Sequence, residues 1–231
     1  HIIDIIHFIN RGQPFQRIQQ INGTYMAVPV GESESHTLNC AWNFIKDEHA
    51  DAMVCFGGYL PVLAAPVYAA WMATPLVTLL RGNDFDSAIF TPRKRDILRD
   101  AVTASRKVTV VSREKTEKLQ KLFPETDATY VPNGIDCSAW TPSASEIEFA
   151  EQWRNENCPD KICFGLFGEL KPKKGVKFFI ESLLRTEAIT NLHFLLIGEV
   201  NEELSVLLVK NNISFSCLSF LDRFELIKYY L

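Results

Sequence analysis

The chain alternates short apolar runs with longer stretches whose apolar positions return every three or four residues. Runs at 52–56, 76–80, 107–111, 162–167 and 193–197 have strand length. Several are nearly continuous in apolar residues, the pattern of strands covered on both faces of a parallel sheet. Ile2-Ile3-Asp4-Ile5-Ile6 reads as a further strand at the start. The stretches between them read as helices. After Gly175, the residues Val176, Phe179, Ile180, Leu183 and Leu184 form a complete apolar stripe. Ser112 is placed to N-cap a helix that ends before Pro124, with Leu119 and Leu122 as its buried contacts. This order predicts an α/β fold with right-handed crossovers between parallel strands.

Two segments break the alternation. Residues 17–30 read as a hairpin about Asn22-Gly23, with Ile18 and Ile21 before the turn and Tyr25, Ala27 and Val28 after it. Thr141-Pro142-Ser143-Ala144-Ser145 is polar and carries a proline, as a linker does. The strand–helix pattern restarts after Cys158-Pro159. The expected organisation is therefore a first domain at 1–143, a linker at 144–158 and a second domain at 159–231.

Composition narrows the partners. A net charge of −4 argues against a general nucleic-acid binder, so an anionic ligand needs a local cluster of cations. The six cysteines show no paired CxxC spacing, and Cys55 and Cys163 sit in apolar runs as reduced core thiols would. The longest apolar stretch, 60–80, is interrupted by Pro61, Pro66 and Pro75 and does not read as a membrane span. The chain opens without methionine, inside a strand-like run, and reads as a cut end.

The clearest local cluster is Gly168-Glu169-Leu170-Lys171-Pro172-Lys173-Lys174-Gly175, between an apolar run and an amphipathic helix. Glycine admits a phosphate close to the backbone, lysines neutralise it, and a helix N-terminus supplies free N–H donors. Lys174 stands at the helix start, with Lys171 or Lys173 as second cation. A solvated basic turn fits the same residues. Three further segments follow strand-like runs, at the edge where open α/β sheets bind ligands. Gly57-Gly58-Tyr59 permits close backbone approach and opens the next helix. In Leu80-Arg81-Gly82-Asn83-Asp84, Arg81 suits an anion or a sugar hydroxyl, while Asp84 either accepts a hydroxyl proton or holds Arg81. Asn133-Gly134, in Val131-Pro132-Asn133-Gly134-Ile135-Asp136, suits a tight turn. The chain has no GxGxxG after a strand, no Walker A order, no nucleophile elbow and no metal spacing among His1, His7, His36, His49 and His193.

Taken together and in order, these motifs resemble the family 4 glycosyltransferases of the GT-B fold. The matching pieces run from Leu76–Leu80 with Arg81-Gly82-Asn83-Asp84, through Val108-Thr109-Val110-Val111-Ser112, Asn133-Gly134 and the lysine loop, to the strand ending at Gly198 and Phe224-Glu225-Leu226-Ile227-Lys228-Tyr229-Tyr230. The resemblance covers the chain from about residue 50 onward. It implies two Rossmann-like domains with parallel sheets, the second truncated. The first domain would bind a saccharide or lipid-linked acceptor at Gly57, Gly58, Arg81, Gly82, Asp84, Asn133 and Gly134. The second would hold a nucleotide-diphosphate sugar, the co-substrate, at Gly168, Lys171, Lys173, Lys174 and Gly198.

In that family a basic residue after the loop glycine and a lysine before the second glycine contact the diphosphate. Lys174 matches the lysine, whereas Glu169 stands at the usual arginine position. The implied reaction is transfer of a hexose-type sugar with retention and without a metal or other cofactor, with Lys174 and Arg81 as catalytic residues. The family's first glycine-rich loop and its Glu-x7-Glu motif would lie outside residues 1–231, so the chain reads as an internal fragment, inactive by itself. By family analogy it works in the cytoplasm in polysaccharide assembly, with peripheral association at the inner membrane face, and binds no nucleic acid. A nucleotide-sugar epimerase of the same fold and a non-catalytic nucleotide-sugar-binding module are the alternatives.

Overall fold

Asn22-Gly23 turns the chain as its dipeptide predicts. β2 (Gln16–Gln20) and β3 (Gly23–Pro29) pair antiparallel, with Gln20 opposite Gly23. The computed structural model describes residues 1–231, the side chains of Asn83 and Ala139 excepted. The first strand, β1, lies at Ile5–Ile9, not at 2–6, and runs parallel to β3 with Ile5 opposite Tyr25. The shift has a local cause. The Asp4 carboxylate accepts the Thr24 N–H at 2.8 Å, and His7 Nδ1 meets the Tyr25 hydroxyl at 2.8 Å, which fixes this register.

The chain divides into two compact units, His1–Gly134 and Ile135–Leu231. After β3 the first unit continues with α1 (Glu34–Ile45), β4 (Met53–Phe56), α2 (Tyr59–Trp71), β5 (Leu76–Leu80), α3 (Gly82–Asp86), α4 (Pro92–Ala104), β6 (Lys107–Val110), α5 (Arg113–Leu122) and β7 (Ala128–Tyr130). β4, β5, β6 and β7 form one parallel sheet in sequence order. Its core joins Leu80, Phe85, Leu98, Val102, Val110 and Leu119, all almost fully buried. Ser112 caps α5 as expected, its Oγ accepting the Lys115 N–H at 3.2 Å. Leu122 departs from expectation and is 53% exposed, because Phe123, which ends the helix, packs against the core in its place.

The second unit holds α6 (Ala144–Asn157), β8 (Ile162–Phe167), α7 (Val176–Leu183), β9 (Leu192–Ile197), α8 (Glu202–Lys210), β10 (Phe215–Leu218) and α9 (Arg223–Leu226). Its sheet is parallel, in the order β10-β9-β8. Central β9 is buried almost throughout. The predicted stripe of α7 (Val176 and Ile180) packs with Leu204 and Leu208 of α8 on Phe194 and Leu196.

The segment 144–158, expected as a linker, is helix α6. A capping box starts it: Ser143 Oγ accepts the Glu146 N–H at 3.3 Å, and the Glu146 carboxylate accepts the Ser143 N–H at 2.6 Å. Phe149 and Trp153 then meet the Tyr229 ring edge-to-face at 5.5 and 5.9 Å. The helix belongs to the second unit, and the division falls at Gly134, ahead of residue 143. All six thiols are free. Cys55 is buried, and burial pushes its pKa up to about 12, reinforced by the charge of Asp84. Cys163 is only half-buried, against expectation, because β8 pairs on one side alone.

His193 lies buried in β9 with Ser214 Oγ 2.8 Å from Nδ1 and Ser216 Oγ 3.0 Å from Nε2, and Trp153 edge-on to its ring. Burial, then the charge of Lys161, holds its pKa below the ordinary value. The unfolded chain therefore binds a proton more readily than the folded one. His193 contributes stability above the unfolded pKa of about 6.5 that is lost as pH falls. Denaturant unfolding followed at pH 7 and pH 5 should show the second unit weakening in acid, with a smaller loss in His193→Gln.

Candidate functional site

Parallel strands end at one edge of each sheet, so the loops that follow them lie side by side there. In the second unit these loops are knitted by backbone hydrogen bonds. Gly168 N–H donates to Ile197 O at 2.8 Å, Leu170 N–H to Glu199 O at 3.0 Å, and Gly198 N–H to Leu218 O at 3.0 Å. Gly198 has φ of +123°, and a Cβ there would stand 2.4 Å from the Gly168 carbonyl oxygen. Pro172, Lys173 and Lys174 form a 3₁₀ turn, so Lys174 precedes α7 and is not its first residue. Its ammonium hangs over Gly168, 3.9 Å from where a Cβ would be.

Gly175 takes φ of +71° and N-caps α7 without a side-chain cap. No side chain caps the first-turn N–H groups of α7. Asn201 ties this region together, and the motif reading passed over it. Its Oδ1 accepts the Leu204 N–H at 2.8 Å to cap α8, and its Nδ2 donates to Leu170 O at 3.3 Å. The signal was an asparagine directly before Glu202-Glu203 and an apolar stripe.

The three loop lysines are not equivalent. Lys171 Nζ lies 2.5 Å from the Glu169 carboxylate, so it is engaged within the loop. Lys173 and Lys174 have no ion-pair partner among the described residues. A cavity of 240 Å³ is lined by Lys171, Pro172, Gly175, Lys177, Phe178 and Asn201 among others, and so borders the first turn of α7. Lys177 there is paired with Glu203. Neither Lys174 nor the Gly168–Gly198 contact lines that cavity, so the free cations and the cavity are separate features.

In the first unit Asp84 does the joining. Its Oδ1 accepts the Gly58 N–H at 3.1 Å and its Oδ2 the Arg81 N–H at 3.0 Å. A Cβ on Gly57, where φ is +55°, would stand 2.2 Å from Oδ2. Asp84 thus holds Arg81 through the backbone, and both its oxygens are occupied. The Arg81 guanidinium stacks on the Phe56 ring, 4.2 Å from its centre, away from the carboxylate. Gly82 opens α3, and its carbonyl accepts Lys115 Nζ at 2.7 Å, an ammonium that also pairs with Asp86 at 2.8 Å. Lys115, nearly buried, was not singled out from the sequence; its position three residues after the Ser112 cap was the available signal.

Gly57 and Gly58 open α2 as predicted. Asn133-Gly134 does not make the expected tight turn. Both residues are exposed, neither has positive φ, and the segment runs on as coil after β7. Among the described residues no three His, Cys, Asp or Glu side chains gather as a metal would require.

No family model and no curated protein matches the chain. Solved structures do match. HepE of Anabaena in complex with UDP and glucose superposes with a TM-score of 0.68 at 14% identity, over 90% of this chain and 58% of HepE. The fold is of the GT-B type. The α,α-trehalose-phosphate synthase (UDP-forming) of Burkholderia xenovorans, in complex with glucose-6-phosphate, shares it with a TM-score of 0.59 at 8% identity, over 98% of this chain and 70% of that one. A Listeria monocytogenes protein described as a UDP-N-acetylglucosamine 2-epimerase does so at 0.56 and 11%, over 91% and 58%. The chain thus spans 58% of the length of HepE, and at these identities the likeness is one of GT-B fold.

The Gly168–Gly198 contact is the most exacting part of the second-unit site. Gly198→Ala should destabilise that unit by about 2 kcal/mol or more, through strain at positive φ and the clash with a backbone carbonyl. Gly134→Ala, where a Cβ meets nothing within 4 Å, should change stability by less than about 0.5 kcal/mol. Paired chemical denaturation curves check both.

Proposed function

We propose that the protein holds a nucleotide-diphosphate sugar on its second unit and takes part in transferring the sugar to a saccharide or lipid-linked acceptor. One observation carries this reading. A free lysine, Lys174, hangs over Gly168 and directly precedes Gly175, the N-cap of α7, in a GT-B fold. That arrangement suits a diphosphate. The solved structures that share the fold include complexes with UDP and with UDP-glucose, which supports a uridine nucleotide as the first ligand to try.

In the reaction the bond between the sugar's anomeric carbon and the diphosphate oxygen breaks, and negative charge grows on the leaving phosphate. Lys174 and the first-turn amides of α7 stabilise that charge in place. Lys173, also unpaired, is the second cation, because Lys171 is engaged by Glu169. The acceptor hydroxyl attacks the same face of the sugar and passes its proton to the leaving phosphate. The configuration is retained, and the step requires no metal and no protein base. On the first unit Arg81 and the Gly57-Gly58 turn present the acceptor side. Asp84 positions them by accepting the N–H groups of Gly58 and Arg81.

No helix is long and apolar enough to cross a membrane among the described residues. Our reading of location remains the cytoplasm, with peripheral association at the membrane face where a lipid-linked acceptor would be met.

Titration calorimetry with UDP, and with GDP for comparison, tests the donor site. UDP should bind the wild-type protein, and Lys174→Ala should weaken it at least tenfold, the range of a lost charge-assisted hydrogen bond. Absence of binding by either nucleotide, or a Lys174→Ala variant that binds as wild type does, would overturn the reading.

A further inference from the structure

Glu169 is the one carboxylate inside the phosphate-binding loop. It directly follows Gly168, the glycine over which Lys174 hangs, and it engages Lys171 at 2.5 Å. Both side chains are about half exposed, so this is a solvated pair with little stability of its own. The consequence for a ligand is larger. Of the loop's three lysines, one already faces a carboxylate before any phosphate arrives, and that carboxylate stays in the loop. The charge left for a ligand rests on Lys173, Lys174 and the α7 amides.

Building on the donor-site reading above, we propose that Glu169 is a specificity-determining residue that makes the site prefer the intact nucleotide sugar to the nucleoside diphosphate released from it. The two ligands share the same nucleoside and phosphates and differ in charge. The diphosphate of a nucleotide sugar is esterified at both ends and carries two negative charges. A free nucleoside diphosphate has a terminal phosphate whose second proton leaves near pH 6, so above neutrality it carries nearly three.

A carboxylate in the loop opposes the third charge, which appears only when the sugar has gone. Binding of the co-substrate is thereby weakened a little and retention of the product is weakened more, so release of the nucleoside diphosphate is favoured. A neutral or cationic side chain at the same position would hold the product more tightly. One unit charge met at about 5 Å in a solvated setting changes a binding constant about fourfold. The preference should therefore shift by about that factor for each unit of charge changed at residue 169.

The test is a charge series at one position: wild type, Glu169→Gln and Glu169→Arg. Each is titrated with UDP and with UDP-glucose at pH 8 in low salt, and melting temperatures confirm that all three fold. UDP affinity should rise relative to that of UDP-glucose by about fourfold in Glu169→Gln, and by a further factor of similar size in Glu169→Arg. Both shifts should shrink in 0.5 M salt, where screening acts within a few ångströms. If the two ligands tighten equally, or neither responds to the charge at 169 while Lys174→Ala still weakens both, Glu169 does not discriminate and the proposal falls, with the donor site intact. If neither ligand binds the wild-type protein, the donor-site reading falls and this proposal with it.

Discussion

The loop edge of the second unit depends on a missing Cβ. Gly198 lies so close to the Gly168 carbonyl that any side chain would separate the loop after β8 from the turn after β9. The hydrogen bonds from Gly168 to Ile197 and from Gly198 to Leu218 follow from that approach, and they set the height at which the lysine turn enters α7. Lys174 is positioned by backbone geometry, and its side chain has no ion pair to hold it. A cation placed in this way is free to meet a ligand.

The first unit meets the same physical requirement differently. Its parallel strands also end in loops whose N–H groups have lost their sheet partners. Here a side chain supplies the acceptor: Asp84 takes the N–H of Gly58 and of Arg81 and joins the ends of β4 and β5. The two solutions leave different chemistry behind. A glycine contact leaves Lys173 and Lys174 without an ion pair among the described residues. A carboxylate that accepts two backbone N–H groups is a brace between two strand ends. Arg81, relieved of pairing with it, lies on the Phe56 ring with its polar rim available.

Much of this was legible in the order of residues, for reasons that differ from element to element. β5 and β8 were found at the predicted bounds because continuous apolar runs have few other ways to be buried. The Asn22-Gly23 hairpin and the Ser112 cap were local signals that needed nothing distant to confirm them. The failures came where partners far along the chain decided the outcome. β1 moved to Ile5–Ile9 because Thr24 and Tyr25 fix its register. Residues 144–157 are helical, and Tyr229, some eighty positions later, packs edge-to-face on Phe149 and Trp153. The proline-serine composition before them pointed to a linker and hid a capping box in plain view. Asn133-Gly134 has the composition of a turn, but no second strand stands behind it to pair with β7.

The site shows the same division between type and arrangement. Residue types suggested an anion-binding edge, and Gly57, Gly58, Arg81, Gly168 and Gly198 do follow directly on the ends of their strands. What the sequence did not disclose was which charges cancel one another. Asp84 beside Arg81 suggested a possible ion pair, yet the carboxylate is satisfied by N–H groups; Lys171 suggested a replacement cation, yet it is held by Glu169. A chain with a net charge of −4 has no long-range field to draw in a phosphate. Under the proposed donor-site reading, recognition rests on the few cations left unpaired at short range. The identity of those cations is a property of side-chain geometry, and in this loop Glu169 decides it.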